Sequence, residues 1–83
     1  MTAKMKRGTY TSPDSTDITP DDATTYDPSF RMVYVGTGGN LTVRTVAGNT
    51  RTFTNVQDGT FVPIQVDQIH ATGTTASNIE GML

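Results

Sequence analysis

From residue 30 onward, apolar and polar positions alternate in twos. Phe30-Arg31-Met32-Val33-Tyr34-Val35 carries apolar residues on both faces of an extended run. In residues 41–46, Leu41, Val43 and Thr45 share one face and Thr42, Arg44 and Val46 the other. Residues 50–56 form a third run, with Phe53 its largest apolar anchor. In residues 60–69, Val62, Ile64 and Val66 share a face opposite Phe61, Gln65 and Asp67. Pro63 has no N–H to give a ladder, so this strand is expected at an edge or with a bulge there. Residues 71–76 read as a polar loop with room for a short helical turn, and residues 77–83 as a returning strand through Ile79. Turn signals separate the runs: Gly36-Thr37-Gly38-Gly39, Ala47-Gly48-Asn49 and Asp58-Gly59. Short β-branched runs punctuated about every ten residues predict an all-β fold, a small antiparallel β-sandwich or barrel-like domain.

Residues 1–29 follow a different pattern. Pro13, Pro20 and Pro28, five aspartates and many Ser and Thr leave few large apolar residues. Such a stretch cannot bury enough surface to fold alone, so it is expected to be an extended N-terminal arm before a β domain at 30–83. Tyr10, Ile18, Tyr26 and Phe30 are spaced apolar anchors that would pin the arm to a partner. Lys4, Lys6 and Arg7 precede the acidic stretch from Asp14 to Asp27, an asymmetry suited equally to docking on a charged surface and to a solvated tail.

The glycine cluster after Val35 resembles a phosphate cradle only in isolation. A dinucleotide fingerprint needs a third glycine and must open a helix, whose N-terminus holds the pyrophosphate. Here it opens Leu41-Thr42-Val43-Arg44-Thr45-Val46, β-branched and poor in helix formers. No lysine follows Lys6, so a Walker loop is excluded. The cluster is therefore expected to close a hairpin between residues 30–35 and 41–46.

Size sharpens this picture. Eighty-three residues make one small core, with no cysteine to staple it or to hold zinc. Association with further copies or a larger body is the remaining common remedy. A formal net charge of −2 argues against nucleic acid as partner, and no run is long enough to span a membrane as a helix. Residues 1–7 are basic without the apolar centre of a signal peptide, which predicts assembly in a cytoplasm. Seventeen threonines suit a rigid, half-exposed pleated surface.

The search for chemistry finds little. His70 is the single histidine, and no Gly-x-Ser-x-Gly or cysteine supplies a nucleophile. Asp67 precedes His70 by three residues, a spacing that strand geometry does not bring together reliably. Asp14, Asp17, Asp21, Asp22 and Asp27 lack the spacing of a calcium loop and suit turns and caps. Asn40-Leu41-Thr42 formally matches a glycosylation acceptor but reads as a turn residue entering a strand. Arg44 and Arg51 would come near each other across a hairpin closed by Ala47-Gly48-Asn49, as an acidic partner's contact or as edge protection. No catalytic, cofactor or metal residue is assigned.

The ordered blocks Ile18-Thr19-Pro20, Tyr34-Val35-Gly36-Thr37-Gly38-Gly39-Asn40-Leu41-Thr42-Val43-Arg44, Thr52-Phe53-Thr54-Asn55-Val56, Gly59-Thr60-Phe61-Val62-Pro63-Ile64-Gln65-Val66 and Ala71-Thr72-Gly73-Thr74-Thr75-Ala76 cover most of the chain. Together they resemble the spike base protein family of gene transfer agents and related tailed phages. The resemblance implies a non-enzymatic virion structural protein on the capsid surface, a head spike base or decoration protein. It would contact the major capsid protein, other copies of itself and a spike fibre, and use no cofactor, nucleic acid or membrane. Its assembly would take place in the host bacterial cytoplasm. The chain departs from the family at residues 1–7 and at Glu80-Gly81-Met82-Leu83. A carbohydrate- or receptor-binding module of a phage particle is the alternative, weakened by the absence of tryptophan. A small enzyme is weaker still, because the nucleophile and base are missing.

Overall fold

The computed structural model describes residues 14–83. Its strands are β1 (Ser15–Ile18), β2 (Met32–Thr37), β3 (Gly39–Thr45), β4 (Thr50–Val56), β5 (Thr60–Val62), β6 (Val66–Ile69) and β7 (Ser77–Met82). They form two antiparallel sheets, a four-stranded one in the order β1-β7-β2-β5 and a three-stranded one in the order β4-β3-β6. The fold is the all-β sandwich that the alternation predicts. Val33, Val35, Val62, Ile18 and Ile79 from one sheet meet Leu41, Val43, Val66 and Ile69 from the other in a single core.

The hairpin at Ala47-Gly48-Asn49 forms as expected. β3 and β4 pair with Val43 opposite Arg51. Gly48 turns at φ +90°, and Thr45 closes the loop through its N–H to the Asn49 carbonyl at 2.8 Å. Residues 77–83 do return as a strand, and β7 lies between β1 and β2 rather than at an edge.

The expected hairpin at Gly36–Gly39 does not form. β2 and β3 are consecutive, yet they lie in different sheets and do not pair. The chain crosses the sandwich at Gly38 and changes partners there. A Cβ on Gly38 would collide with the Val56 carbonyl oxygen. Its N–H donates to Asp58 Oδ1 at 2.5 Å, while the Gly59 N–H donates to the Val35 carbonyl at 2.8 Å. Two crossings between the sheets are thus stitched together at one corner. Gly39 follows at φ +154°, where a Cβ would stand 2.7 Å from Thr75 Oγ1. Strand propensity on both sides of a glycine run reads as a hairpin locally, because the choice of sheet is made elsewhere.

The single strand expected over residues 60–69 is two. β5 ends at Val62 at the edge of one sheet, and β6 begins at Val66 at the edge of the other. Pro63 begins the break, and the Ile64 N–H turns back to the Val62 carbonyl at 2.9 Å. Apolar alternation runs unbroken through the kink because both halves face the same core. Residues 71–76 contain a turn and no helix.

Residues 14–29, expected as part of the arm, lie on this body. β1 pairs with β7 over four residues, from Ser15 opposite Met82 to Ile18 opposite Ile79. The chain then runs beside β6, with N–H donors from Asp21, Tyr26 and Phe30 to the carbonyls of Ile69, Asp67 and Val66 at 2.8–2.9 Å. That stretch covers an edge that β6 would otherwise leave unpaired.

Candidate functional site

The arm's anchors face inward. Ile18 and Phe30 were expected to meet a partner, but they are 8% and 2% exposed inside the chain's own core. Tyr26 packs on Phe30, ring centroids 4.7 Å apart. A small sandwich with two short sheets leaves open core volume, and these side chains fill it. Tyr10, with Lys4, Lys6 and Arg7, lies outside the described residues.

Arg44 and Arg51 are not brought together as a patch. Arg51 stands opposite Val43 and Arg44 opposite Thr50, one step apart, so the period of two sends them to opposite faces. Arg44 makes a fork with Asp67 across β3 and β6, Nε to Oδ1 at 2.9 Å and Nη2 to Oδ2 at 3.0 Å. The guanidinium holds the Asp67 carboxyl below the ordinary aspartate range against a smaller opposing effect of burial. Arg51 is exposed. Asp67 is therefore spent on Arg44, and His70 pairs instead through Nε2 with Gln68 Oε1 at 2.8 Å. Gln68 in turn donates to Thr25 Oγ1 at 2.7 Å, which ties residues 19–29 to β6.

A carboxylate stabilised in the fold contributes stability above its unfolded range and loses it as pH falls through its lower folded value. Asp67→Asn should therefore lower the melting temperature slightly at about pH 6, and the difference from the unaltered protein should shrink as pH falls below the ordinary aspartate range. Thermal melts across that range check the sign.

Asp21 and Asp22 act as caps. Asp21 accepts the Ala23 N–H at 2.9 Å and the Thr24 hydroxyl at 3.0 Å, and these bonds lower its pKa. Asp22 accepts both the hydroxyl and the N–H of Thr72, which lower its pKa and fix residues 71–76 to residues 19–29. Asn40 is equally occupied: its Oδ1 accepts the Asn55 N–H at 3.0 Å.

What remains open is surface suited to assembly. β4 and β5 end their respective sheets, and the corner at Asp58-Gly59 links them. Phe53, Val56, Phe61, Val62 and Pro63 line a groove between these two edges. Phe61 is 55% exposed, unusual for an aromatic in so small a protein. Its ring packs on Tyr34, centroids 4.9 Å apart. The alternation of residues 60–69 sets Phe61 on the face opposite Val62 but does not mark it as exposed. Its outward direction depends on β5 pairing with β2, Phe61 opposite Tyr34, which no local pattern announces.

No family model matches the chain, and no curated protein matches it. Among solved structures it is similar to a chain in the capsid of a native gene transfer agent particle computed with C5 symmetry. The two are 34% identical and superpose with a TM-score of 0.82, over 98% of this chain and 95% of that one.

Proposed function

The chain belongs to the family of capsid-associated gene transfer agent proteins that it matches end to end, and is a virion structural protein; on that premise we propose that it seats on the outer capsid surface as a head spike base or decoration protein. The match to a capsid-particle chain over nearly the full length of both chains supports this reading. The β sandwich is the rigid body. The β4–β5 groove and Phe61 form the contact with neighbouring subunits, copies of this chain or of the major capsid protein. Different edges, β1 on one side and β4 with β5 on the other, suit a head-to-tail ring, which closes without a self-complementary patch. Each contact is small, and many copies on one shell make the attachment firm. A fibre held at the free end of such a ring, or reinforcement of the shell, is the service that follows. The role requires no reaction, and the chain acts by binding.

Mass spectrometry and reconstruction of purified particles test the reading. The protein should be present in a fixed number per shell on its outer face, and absence from purified particles overturns it. Phe61→Glu should lower the melting temperature only by the lost ring contact with Tyr34, because the side chain is already half in solvent. It should cut incorporation into particles about tenfold by placing a charge in an apolar contact. Unaltered incorporation would remove the groove from the interface.

A further inference from the structure

The outer face of the four-stranded sheet has no covering layer among the described residues. Its inner side takes Val33, Val35 and Ile79 into the core, at most 2% exposed, so their neighbours in each strand face out. The pairings Asp17 to Glu80, Glu80 to Tyr34 and Tyr34 to Phe61 place these four side chains in one row across β1, β7, β2 and β5. A second row holds Met82 and Met32 beside Ser15. The face is thus apolar and aromatic, with two carboxylates directly opposite each other. Like charges so placed destabilise a sheet unless a cation joins them. Beside Tyr34, Gly36 contributes no side chain, and a hollow opens between Asp17, Tyr34, Asn78 and Glu80.

The chain itself carries the complement. All eight acidic residues fall within residues 14–83, whereas Lys4, Lys6 and Arg7, half of the six cations, fall in the first seven residues. Met1, Met5 and Tyr10 alternate with them and match the apolar content of the face. Thirteen residues reach at most about 45 Å when extended. β1 enters its sheet at the Met82 end, Ser15 pairing with Met82, so Asp14 lies beyond that end of the strand, away from the Asp17–Glu80 row. We propose that residues 1–13 of one copy dock on the outer face of the four-stranded sheet of a neighbouring copy, a basic side chain filling the hollow between Asp17 and Glu80 against Tyr34. The cation then faces two carboxylates and an aromatic ring, and Met and Tyr side chains cover Met32 and Met82. The docking rests on the assembly reading only in that copies meet; it links neighbours through surfaces other than the β4–β5 groove.

The chain has no cysteine, so cross-linking between introduced cysteines is clean. Full-length Ala3→Cys protein is mixed with full-length Thr19→Cys protein, Thr19 being exposed two residues from Asp17, and treated with a short bismaleimide. The mixed dimer should exceed by about tenfold the one formed with Asn49→Cys, which lies in the β3–β4 turn. High salt should abolish the excess. Charge reversal of either side, Lys4→Glu with Lys6→Glu and Arg7→Glu, or Asp17→Lys with Glu80→Lys, should abolish it too. Mixing the two reversed proteins should restore it. Equal yields at Thr19 and Asn49, or a product only within the Ala3→Cys/Thr19→Cys double variant, would overturn the proposal. Such a result would leave the protein's presence in particles untouched, and its absence from particles would leave this docking intact in solution.

Discussion

Phe30→Ala should destabilise the fold by about 3–5 kcal/mol, a large share of its total stability. A domain of this length has about 4–12 kcal/mol in total. Phe30 is 2% exposed and sits outside any strand, in an isolated bridge with Val66. Its N–H and carbonyl exchange bonds with Val66 at 2.9 and 3.0 Å. The ring lies over Gly81, where a Cβ would come within 2.6–2.7 Å of three ring carbons. Phenylalanine and glycine are therefore one fitted pair: the missing side chain in β7 makes the slot, and the ring fills it. Truncation opens a cavity in a close-packed interior that relaxes only in part. Urea titration measures the loss, and Phe30→Leu should recover more than half of it. A loss below about 1 kcal/mol would mean that the segment before β2 is not part of the core.

Gly38→Ala should cost about 3 kcal/mol or more, although it adds one methyl group. The added carbon meets the Val56 carbonyl and would lie 2.9 Å from Asp58 Oδ1. The first of these is backbone at the end of β4 and cannot swing aside. Moving it also disturbs the Gly38 N–H bond to Asp58, which holds the crossing between sheets. Gly48→Ala is the matched control. Its Cβ meets nothing within 4 Å, but its φ of +90° carries the ordinary left-handed penalty of about 1–2 kcal/mol. Chemical denaturation of both variants compares crowding with backbone strain. If Gly48→Ala were the costlier change, the corner at Gly38 would be looser than the described geometry.

These two glycines show how legibility divides. Both sit in turn-like sequence, and for Gly48 the local reading is right, because the hairpin partners are neighbours in the chain and the loop length sets their register. For Gly38 the same reading fails. β2 finds its partners in β5 and β7, and β3 finds its own in β4 and β6. Those choices close the common core between the two sheets, and no window of ten residues carries them. The Arg44–Asp67 fork joins residues 23 apart and is equally silent in the sequence. So is the inward turn of Ile18 and Phe30, whose polar neighbours suggest an arm.

The sequence by itself determined that the protein is all-β, that it has one small core without cysteine, that its charge is divided between a basic start and an acidic body, and which kind of protein it resembles. Those properties are local or compositional: Cβ direction alternates along any extended strand, and composition needs no coordinates. Only the tertiary structure decided which strand joins which sheet, that Pro63 marks a change of sheet, that residues 15–18 make an edge strand, and that Phe61 rather than Phe30 faces solvent. Each of these depends on contacts between residues distant in the chain, where burial of the common core outweighs local preference.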